Sequence, residues 1–129
     1  MTVFLSAQQV LFIHDRLIIE TGGEHGLLEL RSLESAIARP MATFGGEELY
    51  DSLYDKAAAL MHSLVFNHPT LDGNKRVAVT AAALFLFRNA IQLVADNQEL
   101  ERFTMWVVDQ RPSVDQLSDW FRTNSAPVG

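Results

Sequence analysis

The 129-residue chain contains no cysteine, which excludes disulfides and thiolate metal sites and suits a reducing compartment. Positive charge is scarce: ten basic residues, of which only Lys56 and Lys75 are lysines, stand against sixteen acidic ones, for a net charge of −6. No cationic face of the kind a phosphate backbone needs is expected, so nucleic acid is not an expected partner. Long apolar runs are missing too. The longest, Val77 to Phe87, is bracketed by Arg76 and Arg88 and is too short to span a bilayer. No basic leader followed by an apolar run opens the sequence, so the expected protein is soluble, cytoplasmic and free of membrane. Repeats and low-complexity segments are absent. What is present is apolar residue, at 48%, enough for one compact domain over 1–129 that buries about two-thirds of its unfolded surface.

The hydrophobic spacing predicts helices almost throughout. Ser6 with Gln9 forms a capping-box pattern, and Val10, Ile13, Leu17 and Ile18 recur at helical spacing up to Thr21-Gly22-Gly23. Leu33, Ala36 and Ile37 mark a short second helix ending by Arg39, since the residue before Pro40 is pushed out of the α region. Pro40 to Tyr50 has paired glycines and no helical period, and reads as a loop or small hairpin. Asp51 or Ser52 can cap a third helix with its apolar stripe at Leu53, Ala57, Leu60, Leu64 and Val65, ending near Asn67. Gly73 or Asn74 opens a fourth, apolar on nearly every side after Arg76, as befits the centre of a bundle. Ile91 to Val94 reads as a short extended piece. Asp96 or Asn97 starts another helix, and Ser113 with Gln116 repeats the capping box for a last one ending near Asn124.

Between the third and fourth helices lies "NHPTLDGNKR", Asn67 to Arg76, a dense group of polar side chains in an apolar setting. The start of a buried helix offers free backbone N–H groups at Gly73, Asn74 and Lys75 and the positive end of the helix dipole, a ready anion site. Gly73 permits close approach of a ligand, and Lys75 and Arg76 can add charge to phosphate oxygens. Asp72 is a hard oxygen ligand suited to the magnesium that accompanies a nucleoside triphosphate. His68 is the one side chain there able to accept a proton near neutral pH. Taken singly, each of these has a plainer reading as a cap, a turn or a solvated helix start; the combination within nine residues outweighs them. His14 and His62 fall on helices among apolar neighbours and read as packing or surface residues.

"HPTLDGNKR" resembles the signature of the Fic/Doc (Fido) superfamily, His-x-Phe-x-(Asp/Glu)-(Gly/Ala)-Asn-(Gly/Lys)-Arg, with Lys75 as in the Doc, or death-on-curing, branch. Upstream, "LESAIARPMATFGGEELY" and "KAAALMHSLVFNHP" are similar to segments preceding the motif in Doc-like proteins, and "AAALFLFRN" is similar to the segment C-terminal to it. The resemblance covers about residues 3 to 95. It departs at Thr70, where the family has Phe.

The resemblance implies an all-α, Fido-type bundle of six to seven helices with a small β-hairpin flap, and transfer of part of ATP to a protein hydroxyl with Mg²⁺. It implies His68 as general base, Asp72 as catalytic metal ligand, and Gly73, Asn74, Lys75 and Arg76 as the residues that cradle the nucleotide. The flap that docks the target falls on Thr43, Phe44, Gly45, Gly46, Glu47, Glu48, Leu49 and Tyr50. Three functions are implied as alternatives. One is a Doc-type toxin kinase that moves the γ-phosphate onto a Thr or Ser of a translation factor, elongation factor Tu being the first candidate. The second is a Fic-type adenylyltransferase, whose signature has Gly where Lys75 stands; a Lys narrows the diphosphate cradle and favours the kinase. The third is a degenerate Fido binding module, to which Thr70 is the sequence hint. The inhibitory Ser/Thr-x-x-x-Glu-Gly/Asn pattern of many Fic proteins is missing, so the expected inhibitor is a small antitoxin with a disordered tail, acting in trans.

Overall fold

The computed structural model describes residues 1–21, 30–66 and 72–129, with side chains described at 1–17, 31–66 and 75–129. Its elements run α1 (Ala7–Thr21), α2 (Leu30–Ala38), a 3-10 turn (Arg39–Met41), β1 (Thr43–Phe44), β2 (Glu47–Glu48), α3 (Leu53–Phe66), α4 (Asp72–Arg88), β3 (Ile91–Leu93), α5 (Asn97–Gln110), α6 (Val114–Thr123) and β4 (Ser125–Pro127). The expected all-α bundle with a small hairpin is therefore what the chain forms. The double-glycine stop expected after Thr21 lies outside the described residues.

Helix starts obey local chemistry. Ser6 and Gln9 exchange side-chain and backbone hydrogen bonds of 2.8 and 3.2 Å, and Ser113 and Gln116 do the same at 2.9 and 3.2 Å. Asp96 caps α5 by accepting from the Glu99 N–H at 2.8 Å. At α3, Ser52 is the cap, accepting from the Asp55 N–H at 3.0 Å. Each cap stabilises its helix by about 0.5–2 kcal/mol. Two boundaries differ slightly from expectation. Pro40 ends α2 as anticipated, but the chain tightens there into a 3-10 turn, because proline's fixed φ suits a helix start as well as a stop. And α4 is described from Asp72, where Gly73 or Asn74 is the expected start.

The core is built on α4. Val77, Ala78, Val79, Ala81, Ala82, Phe85 and Leu86 are all buried, as predicted for a central helix. Its widest packing is against α3, whose Ala57 and Ala58 are fully buried in the core; small side chains let helix backbones come close. On its other side α3 carries α6, through Leu117 and Phe121. There the Ser118 hydroxyl donates to Asp55 Oδ1 at 2.5 Å, and Trp120 stacks on Phe103 with ring centroids 3.6 Å apart.

The extended piece after α4 acquires a partner that no local pattern announced. β3 pairs antiparallel with β4, Ile91 opposite Pro127 and Leu93 opposite Ser125, so the last residues fasten onto the end of α4. Asn89 ties the other terminus to the same place, its side chain bonding both the N–H and the carbonyl of Val3 at 2.8 Å.

Asp55 gives this packing a pH signature. Burial raises its carboxyl, but hydrogen bonds from Ser118 and Ser52 and the charge of Arg122 outweigh that and leave its pKa below the usual aspartate value of 3.8. A depressed carboxyl stabilises the fold above its ordinary value and loses that contribution as pH falls through the folded one. Ser118→Ala should therefore cost about 1–3 kcal/mol in urea unfolding at pH 7, with the gap to wild type closing below about pH 4. A gap that stays constant down to about pH 2 would show that the hydroxyl acts by packing alone.

Candidate functional site

The expected catalytic turn is described from Asp72 onward; His68 and Thr70 lie outside the described residues. Asp72, Gly73, Asn74, Lys75 and Arg76 form the first turn and a half of α4, whose early N–H groups have no acceptor within the helix itself. Lys75 is half-buried and Arg76 exposed. Arg76 lines a cavity of about 530 Å³ with Val79 and Thr80 on α4 and Leu100, Glu101 and Thr104 on α5.

The expected flap is a two-residue β-hairpin. Phe44 pairs with Glu47 and Thr43 with Glu48, across Gly45 at φ 60° and Gly46 at φ 84°. Two successive positive φ values are what a type I′ turn demands, and glycine supplies them without strain. Leu49 N–H bonds the Ala42 carbonyl at 2.9 Å, extending the stem. Both strands are solvent-exposed, Phe44 at 82%, and the outer edges of a two-stranded sheet keep backbone donors and acceptors for an incoming strand.

What holds the flap to the bundle is a buried lysine. Lys56, on α3, is 2% exposed, and its Nζ donates to the carbonyls of Tyr50 at 2.5 Å and Asp51 at 3.1 Å and to Glu48 Oε2 at 3.4 Å. A buried ammonium is tolerated only with such a complete set of acceptors. The lysine thus ties the second stem of the hairpin to the helix beneath it.

Arg39 makes a second tie. Its Nε donates to the Tyr50 hydroxyl at 2.9 Å, and its Nη1 meets His62 Nδ1 and Ser63 Oγ at 3.0 Å each. Burial first, then the charges of Arg39 and Arg111, hold His62 below its usual pKa. It is therefore neutral at physiological pH, and since a guanidinium can only donate, Nδ1 must be the acceptor and Nε2 carries the proton. The His62 ring sits edge-on to Phe66 at 4.7 Å, and the Arg111 guanidinium lies 4.6 Å from the centre of the Phe66 ring. At the foot of the flap, Ser35, Ala38, Arg39, Ala42, His62 and Ser63 line an open cleft of about 610 Å³. Sequence reasoning misses this group. It gives His62 as packing or surface, and the available signal is that Arg39, Tyr50, His62 and Ser63 all lie within the two segments resembling Doc-like proteins.

The sequence matches the Fic/DOC family over residues 4–86, a span that holds the hairpin, α3 and most of α4. The chain belongs to the Fic/DOC family. Among its relatives is "Toxin Doc" of Mycolicibacterium smegmatis, 46% identical over 96 residues, covering 74% of this chain and 72% of the relative. Another is "Protein kinase doc" of Escherichia phage P1, 32% identical over 118 residues and covering 92% of both chains. Among the described residues, no helix of this Fic/DOC protein is long and apolar enough to cross a membrane.

Removing the buried ammonium tests how the flap is held. Hydrogen bonds to charged groups contribute about 1.5–3 kcal/mol, so Lys56→Met should speed hydrogen exchange at the Leu49 amide by about tenfold or more. The amides at the middle of α4 should keep their protection. Unchanged exchange at Leu49 would mean that the hairpin is held by something other than Lys56.

Proposed function

We propose that this protein is the toxin of a toxin–antitoxin pair, a Doc-type kinase that transfers the γ-phosphate of ATP to a Thr or Ser hydroxyl of a translation factor. The observation that carries the reading is that Asp72 to Arg76 lie at the N-terminal end of α4 as described, a helix whose body is buried. The names of the two relatives support it, one a toxin and one a protein kinase.

In this reading the work is divided among a few residues. The backbone N–H groups of Gly73 and Asn74 hold phosphate oxygens at the positive end of the α4 dipole. Lys75 and Arg76 add charge that grows in value as the terminal phosphate separates. Asp72 would hold the nucleotide's Mg²⁺, a hard cation that takes one or two carboxylates together with phosphate oxygens. That ion supplies charge neutralisation at the phosphates. The flap pairs with an extended segment of the target and presents its hydroxyl to His68, which takes the proton as the oxygen bonds to the γ-phosphorus and the bond to ADP breaks.

Chemistry and binding should separate on mutation. His68→Ala should keep ATP affinity by calorimetry and lose transfer by about 10²- to 10⁴-fold, while Asp72→Ala and Arg76→Ala should weaken nucleotide binding itself. Equal affinity in all the variants and wild type would place the nucleotide elsewhere.

The group transferred can be read directly. With ATP labelled at either the α- or the γ-phosphorus, only the γ-label should reach elongation factor Tu, because Lys75 crowds the diphosphate cradle that attack at the α-phosphorus requires. Appearance of the α-label on the target would make the protein an adenylyltransferase. A small antitoxin whose tail folds on binding should block either transfer.

A further inference from the structure

The geometry points to a carboxylate-binding pocket at the foot of the flap, in which Arg39 receives an Asp or Glu side chain of the target segment near the hydroxyl that is modified. This rests on the reading of the hairpin as the target-docking flap and adds to it a sequence preference.

The argument starts from what surrounds Arg39. A guanidinium has five N–H groups. One at Nε goes to Tyr50 and two at Nη1 go to His62 and Ser63, so three are spent and all three acceptors are neutral. The two at Nη2 find no acceptor among the described residues. A half-buried cation held only by neutral partners is poorly compensated, and an arriving anion recovers that deficit.

Arg39 is the one formally charged side chain among the described residues that line the cleft. Arg111 is linked to the same histidine through one ring, its guanidinium on Phe66 and Phe66 against His62, and neither arginine forms an ion pair with a carboxylate among the described residues. In a chain with sixteen acidic residues and a net charge of −6, two neighbouring arginines without a carboxylate partner are unusual. The contrast is Lys56, close by, which has Glu48.

Position supplies the identity of the anion. Ala42 lines the cleft and also accepts the Leu49 N–H that closes the hairpin stem, so a peptide paired along the flap passes over the opening. The cleft of about 610 Å³ has room for an acidic side chain, and the two Nη2 donors match carboxylate oxygens. Because Tyr50, His62 and Ser63 already fix the guanidinium plane, little side-chain entropy is lost on binding.

The test uses fluorescent peptides with a central threonine, each with one Asp at a position from four before to four after it, and its Asn counterpart. Their binding to the full chain is followed by anisotropy. At one position wild type should prefer Asp over Asn by about ten- to a hundredfold. Arg39→Gln should bring the Asp and Asn peptides to equal affinity at that position, whatever the change in affinity common to both, and Arg39→Lys should restore part of the preference. Should Arg39→Gln not fold, Ala38→Glu places a negative charge at an exposed helical position lining the cleft and should abolish the preference in the same way. The pocket is overturned if wild type does not distinguish Asp from Asn at any position, or if the preference survives Arg39→Gln or Ala38→Glu. It is also overturned if Arg39→Gln instead weakens ATP binding about tenfold with no acidic preference seen, since the anion would then be a phosphate. An acidic preference without γ-label transfer would support the pocket and count against the kinase reading alone.

Discussion

A single ammonium group inside the bundle organises the candidate site. Lys56 is placed on α3 where it cannot reach water, and an unpaired charge there would cost several kcal/mol. The protein meets that demand with Glu48 of the hairpin and with the carbonyls of Tyr50 and Asp51 in the segment that joins it to α3. The stem must therefore stay against α3 for the fold to be stable, and the flap, exposed along both strands, is held only at its base. A hairpin of two residues per strand has little stability of its own; the lysine gives it a fixed position without covering the edges through which it can pair.

Tyr50 connects that anchor to the second one. Its carbonyl serves Lys56 and its hydroxyl serves Arg39, while Arg39 reaches on to His62 and Ser63 near the end of α3. The cluster depends on His62 being neutral, because a protonated imidazole could not accept from a guanidinium. Burial and the two neighbouring arginines keep it so. The sign of the effect is that the unfolded chain binds this proton more readily, so the folded cluster is at full strength above the ordinary histidine pKa and weakens as pH falls below it.

Much of the fold was legible because its signals are local. The capping boxes at Ser6 and Ser113, the stop before Pro40, the Gly45-Gly46 turn and the apolar run of α4 each depend on residues near one another in the chain, and each appears where the sequence placed it. Less of the site was legible. The motif from His68 to Arg76 is contiguous and carried the resemblance, yet the side chains that hold the flap are dispersed: Arg39 and His62 are 23 residues apart. His62 and Lys56, read singly, look like an ordinary helical histidine and a surface lysine, because burial is not encoded at one position.

The sequence by itself determined the helices, the hairpin and the family, since capping, glycine conformation and hydrophobic period act through neighbouring residues and a nine-residue signature is specific. Only the tertiary structure decided that Lys56 lies inside, that Ser118 closes on Asp55 across 63 residues of chain, that β4 completes β3, and that Arg39 sits in a cleft among neutral partners. Those outcomes depend on which helix faces come together, and the pairing of α3 with α4 and α6 is set by the packing of the whole core.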